Sequence, residues 1–256
     1  MPMFRARLCR SEPLLNIRVF DSEREAAAAC AQRIAREVAD RPSLVLGLPT
    51  GRTPLNVYRE LVGAFQRGRL DLSQVRTFNL DEFLGISADD AGSFRAYMDR
   101  HFFQHVNLSP EHIHFLEGTA MDPEAECARY DASIAEAGGL DLVLLGLGTN
   151  GHLAFNEPSE GLVARSHRVR LSRETREANV MLFGDDPSRV PLEALTLGMA
   201  GILQARRVVL LAFGESKAEA VRAMVHGPVS PRCPASFLQL HPNAEVWLDP
   251  AAHAHV

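Results

Sequence analysis

A histidine and a glutamate five residues apart, His152 and Glu157, stand just after three closely spaced glycines, Gly146, Gly148 and Gly151. Imidazole is the side chain whose ordinary pKa lies nearest neutrality, so it can give or take a proton under mild conditions. A carboxylate nearby can hold it in one tautomer or charge state. The glycines let a ligand approach the backbone, because no Cβ stands in the way. Alone, His152 fits a structural role as well as a catalytic one. Its surroundings favour the catalytic reading.

Three further clusters could carry chemistry. Asp81 and Glu82 are adjacent carboxylates after an apolar run, either plain caps or candidates for a general base. Thr50-Gly51-Arg52-Thr53, followed by Pro54, is either a tight turn with a cap or an anion site. A glycine-containing turn feeding a helix offers free N–H groups and the positive end of the helix dipole, which suits phosphate. Lys217 opens a helix after Gly214 and Ser216, an end where cations are disfavoured. An anion held nearby would account for it.

Alternating elements must position these groups. Strands are expected at 15–20, 44–48, 75–80, 112–116, 141–147, 168–171, 207–213 and 244–248. The run 142–147 has the length and flanks of a strand covered on both faces. Asp21 or Ser22 caps a helix with Ala27, Cys30, Ile34 and Val38 on one face. Thr53-Pro54 reads as N-cap and first residue of a helix whose inner face is Leu55, Tyr58, Val62 and Phe65. Further helices are expected from Ser93, at 124–137, at 194–203 and at 217–225, with a helical or mobile piece at 174–182. The alternation predicts a single-domain, Rossmann-like, doubly wound α/β fold over 1–256, its mainly parallel sheet covered by helices on both faces. All four polar clusters then fall at carboxyl ends of strands, where such sheets gather ligands.

Composition narrows the classes. With 256 residues and 46% hydrophobic content the chain can bury a large core. A net charge of −5 gives no support for nucleic-acid or anionic-membrane binding. Cys9, Cys30, Cys127 and Cys233 are scattered without metal-ligand spacing and read as reduced thiols of a cytoplasmic protein. No apolar run approaches the roughly 20 residues that span a bilayer, and no signal-type segment opens the chain. His241, His253 and His255 read as a solvated tail rather than as metal ligands.

Gly47-Leu-Pro-Thr-Gly-Arg-Thr-Pro54, Phe78-Asn-Leu-Asp-Glu-Phe83, Gly146-Leu-Gly-Thr-Asn-Gly-His-Leu-Ala-Phe-Asn-Glu-Pro158 and Ser236-Phe-Leu-Gln-Leu-His-Pro242 closely resemble the glucosamine-6-phosphate deaminase/isomerase family. The resemblance runs in order from about 15 to 250. The neighbouring 6-phosphogluconolactonase branch shares the fold and the glycine-histidine core, but Phe155-Asn156-Glu157-Pro158 resembles the deaminase side. The resemblance implies conversion of an amino-sugar 6-phosphate to fructose 6-phosphate and ammonia, with no cofactor and no metal. It implies that Asp81 moves a proton between C2 and C1 of the open-chain sugar. It assigns His152 to ring opening, with Glu157 and Asn150 as its partners, and Lys217 with the Thr50–Thr53 loop and Gly148 to substrate and phosphate.

Two departures stand out. In the lid, about 165–190, the family usually has an arginine on the phosphate where this chain has Met181, and Arg52 stands where the family more often has glycine or serine. Arg52 is therefore expected to supply the missing charge. Galactosamine 6-phosphate as substrate, or 6-phosphogluconolactonase activity, are the alternatives. The chain ends soon after Asp249-Pro250, without the extension that forms part of an allosteric site in regulated members, so that control is not expected. The expected partner is a small sugar phosphate, and the protein is either a monomer or a homo-oligomer.

Overall fold

The computed structural model describes residues 15–256. Its first half runs β1 (Asn16–Val19), α1 (Glu23–Asp40), β2 (Val45–Leu48), α2 (Leu55–Gln66), β3 (Arg76–Asn79), β4 (Asp81–Phe83), α3 (Phe94–His101), β5 (Ile113–His114) and α4 (Pro123–Glu136). There follow β6 (Leu142–Gly146), β7 (His167–Arg170), α5 (Arg173–Ala178), β8 (Glu193–Thr196), α6 (Met199–Leu203), β9 (Arg207–Ala212), α7 (Ala218–His226) and β10 (Ala244–Leu248). Cys9 lies outside the described residues.

Seven strands make a parallel sheet in the order β1-β10-β9-β6-β2-β3-β5. Its middle strands are apolar throughout because successive side chains point to opposite faces and both faces are covered. Leu142 and Leu144 join one core with Ile34 of α1, Leu61 of α2 and Met98 of α3. Val143 and Leu145 join another with Tyr130 of α4, Ile202 of α6 and Val221 of α7. The α/β fold read from the sequence is the one observed. α1 starts where Ser22 Oγ accepts from the Glu25 N–H, and Ala27, Cys30, Ile34 and Val38 are all buried.

The strand order has a functional consequence. From β2 the chain winds outward through β3 to β5, then returns to β6 on the other side of β2 and winds out through β9 to β10. β2 and β6 are therefore the switch point, where diverging loops leave a crevice at the carboxyl edge. The loops bearing Thr50–Thr53 and Gly148–Glu157 leave from these two strands.

A second sheet corrects the expectation. β4, β8 and β7 pair antiparallel, with Asp81 opposite Thr196 and His167 also opposite Thr196. The expected helix at 194–203 is instead strand β8 followed by a helix of only five residues, α6. Local preference in Glu-Ala-Leu-Thr is overridden by ladders on both sides, and the Leu197 N–H continues the pairing to the Leu80 carbonyl at 2.7 Å. The expected strand at 168–171 is one residue earlier, and 174–182 divides into α5 and a 3-10 turn at 180–183. Thr53 is not the α2 cap: Pro54 holds that position with no side-chain bond, leaving Thr53 in the preceding turn. His241 is buried rather than solvated, its Nε2 donating to Ala205 O at 2.8 Å while Nδ1 accepts from the Asn243 N–H.

The small sheet brings its own core of Phe83, Phe94, Phe155, Leu171, Phe183, Val190 and Ala194. Phe83 is fully buried, with ring centroids 4.6 Å from Phe94, 5.7 Å from Phe155 and 5.3 Å from Phe183. Phe83→Ala should lower stability by about 3–5 kcal/mol, read as a drop in the urea midpoint. A loss under about 1 kcal/mol would mean that this aromatic group does not unfold with the rest.

Candidate active site

The four clusters converge on one cleft of about 250 Å³. Its walls include Thr50, Gly51, Arg52 and Thr53 after β2, Asp81 after β3, and Gly146, Gly148, Asn150 and His152 after β6. Lys217 comes from the start of α7, and Glu174, Thr175, Ala178 and Asn179 from α5 and the residue after it. The aromatic floor is Phe94 and Phe155. Sequence reasoning missed these α5 residues because α5 is a short charged stretch, Arg-Glu-Thr-Arg-Glu-Ala, with no apolar period.

Buried tyrosines fix the loop positions. Tyr58 of α2 donates to Pro49 O at 2.5 Å and Tyr97 of α3 to Gly51 O at 2.5 Å. Tyr130 of α4 donates to Asn79 O at 2.5 Å, just before Asp81. Gly51 has φ +100°, which glycine adopts without strain. Gly148 is required for a different reason: a Cβ there would lie 2.3 Å from the His152 ring. The His152 imidazole thus packs directly on backbone.

The adjacent carboxylates separate cleanly. Glu82 is a structural cap, accepting from the N–H groups of Phe83 at 2.8 Å, Phe94 at 2.9 Å and Arg95 at 2.9 Å. Burial still pushes its pKa up to about 7, against the pull of those N–H groups. Asp81 lines the cleft, is 6% exposed, and its Oδ1 has no partner among the described residues. Burial, with the Glu82 charge beside it, pushes the Asp81 carboxyl up to about 8. A carboxyl that titrates near neutrality and faces a ligand space can take and return a proton.

His152 is held through an amide. Asn150 Nδ2 donates to Glu157 Oε2 at 2.9 Å, which turns Asn150 Oδ1 toward His152 Nδ1 at 2.8 Å. Glu157 itself is 3.7 Å from Nδ1, so the pair expected from the sequence is bridged rather than direct. An acceptor at Nδ1 makes that nitrogen the N–H, leaving the Nε2 lone pair free. Burial lowers the His152 pKa, the Glu157 charge raises it and Lys217 lowers it again, with a net result below the usual value. The Lys217 ammonium is also lowered, by burial and by Arg52. Neither Arg52 nor Lys217 has a carboxylate partner among the described residues, so the cleft holds two uncompensated cations.

A family model for glucosamine-6-phosphate isomerases/6-phosphogluconolactonase matches residues 21–247. The chain belongs to that family. It is 47% identical over 223 residues to glucosamine-6-phosphate deaminase 1 of Giardia intestinalis, covering 87% of this chain and 84% of that protein. A solved structure of a monomeric glucosamine-6-phosphate deaminase superposes with a TM-score of 0.91 at 39% identity, covering 94% of this chain and 100% of that one. The 6-phosphogluconolactonase of Trypanosoma cruzi shares the fold at a TM-score of 0.74 and 20% identity, covering 94% and 97%. Within this family frame Met181 is 82% exposed and lies outside the residues lining the cleft, whereas Arg52 lines it.

The raised Asp81 pKa has a signed consequence for stability. The unfolded carboxyl ionises near 3.8 and the folded one near 8, so folding costs progressively more as pH rises between these values. The stability associated with protonated Asp81 is full below 3.8 and lost as pH passes about 8. Asp81→Asn should therefore match the parent melting temperature near pH 4 and exceed it increasingly up to about pH 8. A melting difference that is flat across this range would show that Asp81 is well solvated in the cleft.

Proposed function

We propose that this chain is a glucosamine-6-phosphate deaminase, converting glucosamine 6-phosphate and water to fructose 6-phosphate and ammonia. The observation that carries the reading is a single cleft that holds the buried carboxyl of Asp81 and an oriented neutral imidazole, His152, together with two cations that have no carboxylate partner among the described residues.

The substrate phosphate sits against Lys217, Arg52 and the N–H groups of the Thr50–Thr53 turn, where a dianion offsets the two cations. His152 Nε2 takes the proton from the C1 hydroxyl and delivers it to the ring oxygen, opening the sugar. The Nδ1–H bond to Asn150, backed by Glu157, steadies the imidazolium that forms between these events. Asp81 then removes the C2 proton and returns it to C1. One proton of the C2 ammonium passes to O1, leaving an iminium at C2, and water adds there to release ammonia. A free Asp81 near pKa 8 would be only partly ionised at neutrality, but a substrate ammonium at C2 favours the carboxylate. Each step is a proton transfer or an addition of water, so the scheme calls on no redox cofactor.

The names of the similar proteins favour glucosamine over galactosamine, and their much higher identity favours deamination over lactone hydrolysis. Every group in the scheme comes from one chain, which fits the monomeric description of the similar structure. Among the described residues no helix is long and apolar enough to cross a membrane. We place the enzyme in the cytoplasm, where sugar phosphates are metabolised.

Ammonia release from glucosamine 6-phosphate and galactosamine 6-phosphate, measured beside hydrolysis of 6-phosphogluconolactone, tests the reading. Release from the first is expected, and lactone hydrolysis without ammonia from either amino sugar would overturn it. Asp81→Asn should abolish turnover and solvent-deuterium exchange at the reacting carbon. Arg52→Gly should raise KM about ten-fold, near 1.4 kcal/mol of binding, with kcat little changed. An unchanged KM would remove Arg52 from the phosphate site.

A further inference from the structure

The polar chain that orients His152 does not stop at Glu157. Glu157 Oε1 accepts from Thr175 Oγ1, on lid helix α5, and Thr175 Oγ1 accepts from Ser172 Oγ at 3.0 Å. Thr175 is 5% exposed, and Ser172 is the N-cap of α5, accepting from the Thr175 N–H at 3.1 Å. Each proton in the chain has one destination. Ser172 donates to Thr175, Thr175 to Glu157 Oε1, Asn150 to Glu157 Oε2 and His152 Nδ1 to Asn150 Oδ1.

We propose that Thr175 is a positioning residue that ties the seating of the lid helix to the orientation and proton affinity of His152. The inference rests on the deaminase reading for its catalytic meaning, and on hydrogen bonds alone for its structure. Glu157 would otherwise have one oxygen free to rotate. With both oxygens engaged, Asn150 cannot flip its amide, because the flip would set its N–H groups against the His152 N–H. The hydroxyl also stabilises the carboxylate form of Glu157. Removing it raises proton affinity in the linked Glu157–Asn150–His152 group.

The charged groups facing His152 are Glu157 from its own loop and Lys217 from the start of α7. Asp81 after β3, Arg52 after β2 and Glu174 of α5 line the same cleft. Thr175 bonds to one of these and leaves the others in place, so its effect is separable from theirs.

Thr175→Val keeps the side-chain shape and deletes the donor, Thr175→Ala deletes it without demanding space, and Thr175→Ser restores it. In unliganded protein, imidazole ¹⁵N shifts of His152, assigned against His152→Gln, should keep the Nδ1–H tautomer in the parent and Ser forms. The titration midpoint should rise by about half a pH unit or more in the Val form, or in the Ala form if Val does not fold. With glucosamine 6-phosphate, the acid limb of kcat/KM should move up in parallel, costing about three-fold at pH 6 and less at pH 8. In a Glu157→Gln background, Thr175→Ala should no longer shift the profile. Unchanged ¹⁵N midpoints, a uniform loss at all pH values, or a Ser form as damaged as Val would each overturn the proposal. Because the ¹⁵N titration needs no substrate, it can fail or succeed independently of the deaminase reading.

Discussion

One buried carboxyl, Asp81, whose Oδ1 has no partner among the described residues, sets the terms for the rest of the site. Such a group is costly to keep, since each unit of pKa displacement corresponds to about 1.4 kcal/mol between its charged and neutral forms. Solvating it with an N–H or an arginine would lower the cost and also its proton affinity. The fold gives those N–H groups to its neighbour instead. Glu82 takes two of them at the start of α3 and a third from Phe83 in β4, and it adds a like charge at the side of Asp81. The short strand β4 makes this division possible, because adjacent residues of a strand point opposite ways. Its pairing with β8 and the packing of Phe83 on Phe94 and Phe155 hold that geometry.

The same cleft is also lined by two cations. Arg52 and Lys217 lack carboxylate partners among the described residues, and burial, with the Arg52 charge nearby, lowers the Lys217 pKa. A cleft lined by a carboxyl and two cations without ion-pair partners among the described residues is charged unevenly before any ligand enters. Such an arrangement accepts a molecule with a dianionic group and a cationic amine in one orientation, and resists the reverse. Tyrosines from three different helices anchor the loops by their carbonyls, so this polarity rests on the two main cores rather than on loop contacts alone.

The parallel sheet was legible because β2, β6 and β9 are short apolar runs between helical periods, a pattern that burial on both faces demands. The four loops were legible for the same reason, since each follows such a run. The antiparallel sheet was not. β4 is only Asp-Glu-Phe, and β8 is Glu-Ala-Leu-Thr, whose composition favours a helix until β4 and β7 pair with it. The distinction between Asp81 and Glu82 also lay beyond the sequence, because it depends on where the α3 N–H groups point. Thr175 was hidden in a charged hexapeptide, and only its burial against Glu157 reveals it.

Asn150 draws these strands of argument together. An aspartate at that place would bring a second charge and raise the proton affinity of the histidine. An amide adds no charge, and its only influence is directional. Its oxygen accepts from both the backbone N–H and the Nδ1–H of His152, while its nitrogen is engaged by Glu157. Orientation of the imidazole is therefore delegated to a neutral group, with Glu157 supplying the charge from 3.7 Å away. Burial and Lys217 then outweigh that charge, and the histidine stays neutral with Nε2 ready to accept a proton. An asparagine bridge makes the imidazole a proton acceptor at rest, and makes its setting depend on whatever fixes Glu157.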